Sequence, residues 1–135
     1  MTDRIQTFGT LPDGTIVERA SISGGGLTAH ILTYGATIQD LRLDAVDHPL
    51  ILGSPVLESY LGPMTYFGAI VGRFANRIAN GRFELEGQTF HVPPNWLGRH
   101  ALHGGTVGTG QKIWTVMGCT GCFTQQVNPN GRDRH

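Results

Sequence analysis

The stretch YFGAIVGRFANRIANGRFELEGQTFHVPPNWLGRHALHGG, residues 66–105, decides how the chain is read. Its second half holds two segments that alternate polar and apolar residues, Arg82-Phe83-Glu84-Leu85 and Gln88-Thr89-Phe90-His91-Val92. Between them stands Glu86-Gly87, a turn that can supply positive φ at its glycine. The first half opens on Tyr66-Phe67-Gly68-Ala69-Ile70-Val71, an unbroken apolar run short enough to predict a strand buried on both faces. Gly72 ends that run, and Arg73, Phe74, Asn76 and Arg77 follow. The stretch closes on Leu102-His103-Gly104-Gly105, a histidine beside residues that let backbone approach a ligand closely.

Outward from this region the pattern stays β. Pro12-Asp13-Gly14 marks a turn before Thr15–Ser23, which places Ile16, Glu18, Ala20 and Ile22 on one side. After Gly24-Gly25-Gly26, Leu27–Thr33 aligns Leu27, Ala29, Ile31 and Thr33. In Ala36–Leu43 the apolar parity changes between Ile38 and Leu41, which predicts a bulge near Asp40. Leu50-Ile51-Leu52 reads as a brief strand, and Val56–Leu61 as one turn of helix. No window carries the i, i+3, i+4, i+7 pattern of a long helix. Short strands at close, regular spacing predict an all-β, antiparallel β-sandwich. The 20 glycines and 7 prolines suit the many turns such a fold needs.

Composition narrows the partners. Lysine plus arginine and aspartate plus glutamate number 10 each, so zero formal charge argues against a nucleic-acid or membrane partner. There is no apolar run long enough to span a bilayer and no charged-then-apolar leader, and two cysteines make no disulfide framework; a cytoplasmic setting is expected. Cys119 and Cys122 form a CxxC without the helix of a redox motif or the second pair of a zinc site. His100 and His103 lie close together, but no third ligand converges with them, so no metal is expected.

Arg77 and Arg73 present rigid forks of donors in a loop rich in glycine and asparagine. No helix opens there to cradle a phosphate, which favours a neutral polyol. For Arg73 the plainer expectation is pairing with Glu84 or Glu86 across the hairpin. Trp96 and Trp114 suit either sugar stacking or a place in the core.

The run GAIVGRFANRIANGRFELEGQTF, an asparagine and then ALHGG resemble the galactose mutarotase (aldose 1-epimerase) family. The YGATIQDL segment near the start is similar too. The resemblance covers about Phe8–Trp114 and implies a β-sandwich domain over residues 1–114, with 115–135 a non-matching tail, whose few apolar residues without a period predict disorder from Asn128. It implies that Asn76, Arg77 and His103 contact an aldose sugar, with His103 near the reacting end, and that α and β anomers of a hexose such as galactose or glucose interconvert without a cofactor. In the family the principal acid is a later histidine and the base a late glutamate. Neither falls within this sequence, so the chain reads as a truncated N-terminal part, weakly active or inactive by itself, with His103 at most an auxiliary acid. The alternatives are a non-catalytic carbohydrate-binding remnant and a relative of hexose-6-phosphate 1-epimerases.

Overall fold

The computed structural model describes residues 5–117 and the backbone of residues 122–125. A four-stranded antiparallel sheet leads the chain: β1 (Ile5–Thr10), β2 (Ile16–Gly24), β3 (Leu27–Leu32) and β4 (Ile38–Leu43), neighbours in sequence order. After it, among the described residues, come one α-helical turn, α1 (Leu57–Tyr60), three 3₁₀ turns and three two-stranded ladders. These join β5 (Arg77–Ile78) to β8 (Ala101–Leu102), β6 (Arg82–Leu85) to β7 (Gln88–His91), and β9 (Trp114–Met117) to β10 (Cys122–Gln125). The fold is all-β and every ladder is antiparallel.

Register sorts the faces of the first sheet. Ile5, Ala20, Ile31 and Ile38 stand in one row, with Ile22, Ala29 and Leu41 in the next and Leu27 and Leu43 beyond. This apolar face is only partly covered, for Ile5 and Leu27 keep 40% and 41% of their surface exposed. The expected bulge is present: His30 pairs with Asp40 while Ile31 pairs with Ile38, leaving Gln39 as the extra residue. Its amide is buried, and Nε2 donates to the Ser54 carbonyl at 3.0 Å. The Ser54 N–H in turn donates to the Tyr60 hydroxyl at 2.8 Å, tying the bulge to α1.

The densest packing lies on the opposite face, at the end where β2 and β3 begin and finish. Val17 and Leu32, both fully buried, meet Tyr34, Leu57 and Tyr60, with Phe8, Leu11, Met64 and Ile113 around them. Ile16 is exposed. A bulge at Phe8 on β1 shifts the pairing there, so that Gly9 faces Val17 and lies against Leu57 of α1.

Two expected strands are absent. Tyr66–Val71 is a series of turns, with Phe67 N–H donating to Met64 O at 3.0 Å and Ala69 N–H to Tyr66 O at 3.3 Å. It touches the sheet at isolated points, where Ile70 N–H reaches Gly35 O at 3.0 Å and Gly68 O accepts Ile38 N–H at 2.9 Å. Phe67 and Ile70 are exposed, so the run is not buried on two faces. Leu50–Leu52 makes one bond to Leu41 and no ladder. In the tail, β9 and β10 pair over Trp114–Gln125 where the residue pattern carried no period. The stretch from Asn128 on, and Cys119 of the CxxC, lie outside the described residues.

On the other side of the sheet from Ile31, the His30 imidazole stands between Ser21 and Asp40, 2.8 Å from Ser21 Oγ. Burial lowers its pKa first, Arg19 and Arg42 add to the effect, and Asp40 opposes it. The folded state therefore favours the neutral ring, the unfolded chain binds more protons, and stability is lost as pH falls through the ordinary histidine range. Urea midpoints taken between about pH 5.5 and 7.5 should rise with pH, and His30→Gln should flatten part of that rise. An unchanged slope in His30→Gln would remove His30 from the account.

Candidate functional site

Two short strands bring the expected residues together. The β5–β8 ladder pairs Arg77 with Leu102 and Ile78 with Ala101, which sets Asn76 beside His103. His103 N–H donates to Asn76 O at 3.0 Å, and Asn76 N–H donates to His103 Nδ1 at 3.1 Å. Because Nδ1 accepts, the neutral ring carries its proton on Nε2 and presents a donor there. The Asn76 side chain completes the group, with Oδ1 accepting from Arg77 Nη1 at 3.0 Å. Asn76, Arg77 and His103 thus form one connected cluster, half-buried at the histidine and exposed at the other two.

The far end of β5 repeats the device. Asn80 N–H donates to His100 Nδ1 at 3.0 Å, so an asparagine–histidine pair clips each end of the ladder. Asn76 and Asn80 both have positive φ, 63° and 56°, a conformation asparagine tolerates better than most residues. Their N–H groups are thereby turned off the strand and toward the two imidazoles.

Other residues frame this cluster. The Tyr66 ring lies 4.7 Å from the His103 ring at 55°. Asn95 acts as a side-chain imitation of a ladder partner: Oδ1 accepts Leu102 N–H at 2.6 Å and Nδ2 donates to Leu102 O at 2.9 Å. The same Nδ2 lies 3.4 Å from Tyr66 Oη. The Arg77 guanidinium sits 4.2 Å from the centre of the Trp96 ring. Sequence reasoning assigned no role here to Tyr66, Asn95 or His100. Asn95 did carry a signal, since Pro93 and Pro94 before it have no N–H to give a ladder, and an amide side chain can stand in.

Arg73 is exposed, and Glu84 pairs with Arg82 at 2.6 Å on its own strand, so the expected Arg73 partnership is not formed at Glu84. Trp114 is half-buried and donates Nε1–H to Thr109 O at 3.1 Å. Among the described residues no three His, Cys, Asp or Glu side chains gather to hold a metal ion, and no helix is long and apolar enough to cross a membrane.

The profile of the aldose 1-epimerase family matches residues 18–133, running past Trp114. Mouse galactose mutarotase is 38% identical over 131 residues, covering 93% of this chain and 38% of its own length. Human galactose mutarotase is 34% identical over the same span. Aldose 1-epimerase of Haemophilus influenzae is 34% identical over 117 residues, covering 84% of this chain and 34% of its own. Among solved structures, galactose 1-epimerase from Lactobacillus acidophilus superposes with a TM-score of 0.65 at 25% identity, over 82% of this chain and 32% of that one. The GalM/aldose epimerase homologue from C. elegans gives 0.63 at 33% identity, over 75% and 32%. This chain belongs to the aldose 1-epimerase family. It spans a little over a third of the length of the curated relatives it matches.

The backbone after His103 has a strict requirement. His103, Gly104 and Gly105 have successive φ values of 49°, 91° and 73°. A Cβ on Gly104 would overlap the Gly72 carbonyl oxygen and come within 2.8 Å of Gly108 Cα. Gly104→Ala should therefore cost at least about 1–3 kcal/mol and displace the His103 ring. A denaturant melt, with loss of the His103 and Asn76 amide signals from their native positions, checks this; a near-neutral Gly104→Ala would contradict it.

Proposed function

We propose that the Asn76–Arg77–His103 face binds a hexose such as galactose or glucose, and that this is the sugar grip of an aldose 1-epimerase. The observation that supports it is the donor-rich character of the face. With one lone pair of Asn76 Oδ1 taken by Arg77, the groups left over are mostly donors: guanidinium N–H, the Asn76 amide N–H₂ and His103 Nε2–H. Their complement is a set of oxygen acceptors, as the hydroxyls and ring oxygen of a neutral sugar provide. The names of the relatives, galactose mutarotase and aldose 1-epimerase, point to the same substrate class.

The reaction would run through an open chain. A base takes the proton of the anomeric hydroxyl, the C1–O1 bond becomes a carbonyl, and the C1–ring-oxygen bond breaks as that oxygen gains a proton. Rotation about C1–C2 and closure on the other face give the second anomer. Donors on the ring oxygen stabilise the charge it gathers as the bond breaks. His103 and Arg77 are suited to that task. A base is needed as well, and the hydrogen bonds of Asn76, Arg77 and His103 run to one another and to no carboxylate. We therefore assign to this chain the gripping function, with little acceleration of its own and a cytoplasmic setting.

Titrating D-galactose into the isotope-labelled chain should shift the Asn76, Arg77 and His103 signals saturably, and His103→Ala should weaken binding about tenfold, the scale of one charge-free hydrogen bond or slightly more. Polarimetry on fresh α-D-galactose should stay near the buffer rate. Mutarotation well above that rate and lost in His103→Ala would overturn the assignment of gripping alone, and signals indifferent to both galactose and glucose would overturn the sugar site.

A further inference from the structure

We propose that Trp96 is a positioning residue for Arg77: its indole is a platform that sets the guanidinium fork before sugar arrives. The inference rests on the reading of this face as a hexose site, and goes beyond it by assigning Trp96 a role through Arg77 rather than by stacking on the sugar.

Arg77 is exposed, and a long exposed cation ordinarily samples many rotamers. Here it has two holds. Its Cζ lies 4.2 Å from the centre of the indole, within cation–π range, and Nη1 is bonded to Asn76 Oδ1 at 3.0 Å. One hold places the fork over the indole, and the other ties one of its terminal nitrogens to Asn76.

The platform is itself anchored. Trp96 and His100 exchange backbone bonds, Trp96 N–H to His100 O and His100 N–H to Trp96 O, both at 3.0 Å. Leu97 and Gly98 turn the chain between them with φ of 49° and 69°. The His100 ring lies 5.8 Å from the indole, and its Nδ1 accepts Asn80 N–H. Asn80 and Asn76 bracket the strand that carries Arg77. The holds thus form a closed circuit: Arg77 on Trp96, Trp96 on His100, His100 on Asn80, and back along β5. The indole face toward Arg77 is occupied by the guanidinium, which leaves that face no room for a sugar ring.

Without sugar, the Arg77 Nε–Hε proton of the full chain should show an upfield ring-current shift by NMR. Trp96→Phe should keep part of it and Trp96→Leu should lose it, while the His103 and Asn76 amide signals hold their positions in both variants. With D-galactose as the probe, Trp96→Leu should bind roughly two- to thirtyfold more weakly, the range of a cation–π contact converted to affinity, and Trp96→Phe should recover most of the loss. An unshifted Arg77 Hε in the wild-type chain, or unchanged galactose affinity in Trp96→Leu once the shift is lost, would overturn the proposal. A shift lost in Trp96→Leu, with no galactose binding by the wild-type chain, would support the platform and overturn the hexose reading instead.

Discussion

Two backbone N–H groups, those of Asn76 and Asn80, are given to imidazole nitrogens, and the arrangement of the site follows from that gift. A ladder of two residues per strand is too short to hold a register by its own bonds. The Asn76–His103 and Asn80–His100 pairs lengthen it at both ends with side-chain acceptors. The positive φ of each asparagine aims the donor, and His103 accepts it on an Nδ1 that carries no proton. At His103 this single bond does double service. It fixes the strand pairing that brings Arg77 alongside, and it settles which ring nitrogen offers a proton outward.

The larger scaffold acts on this site at a distance. The first sheet is held at one end by the cluster of Val17, Leu32, Leu57 and Tyr60, and the Gln39 bulge joins it to α1 through Ser54. From there the turns of Tyr66–Val71 lean on Gly35 and Ile38 and deliver Gly72 to its place against Gly104. Thr109 closes the corner, donating its N–H to Gly72 O and its hydroxyl to Ile70 O. Tyr66 reaches His103 from the start of that same turn run. The segment that fails as a strand is therefore the one that supplies the ring beneath the histidine.

What could be read from the residues alone follows the range of the interaction involved. The hairpin at Glu86–Gly87, the bulge beside Asp40 and the single helical turn near Val56 are set by neighbours in sequence, and each is found where local pattern placed it. Tyr66–Val71 and Leu50–Leu52 misled because apolar composition without alternation does not say whether a backbone has a ladder partner. That Val17 rather than Ile16 is buried against α1 depends on what packs over each side of β2, and β2 itself contains no mark of it. The grouping of Asn76, Arg77 and His103 was legible through family likeness. Its mechanism of assembly was not, because a histidine's choice of a backbone donor depends on chain far away in sequence. For the same reason the residues alone do not show that Asn95 bonds Leu102 or that Trp96 lies against Arg77.

The β5–β8 ladder also has a bearing on the order in which structure can form. Joining Ile78 to Ala101 closes a loop over everything between them, at an entropic cost that grows with the number of free residues enclosed. The β6–β7 hairpin, with Phe83 and Phe90 stacked at 5.3 Å, occupies much of that loop and needs only adjacent residues to form. Once it has formed, the free chain left to be closed is short. Hairpin first and the β5–β8 ladder second is accordingly the cheaper sequence of events, so loosening the Glu86–Gly87 turn would slow the gathering of His103 and Arg77 although neither residue touches it.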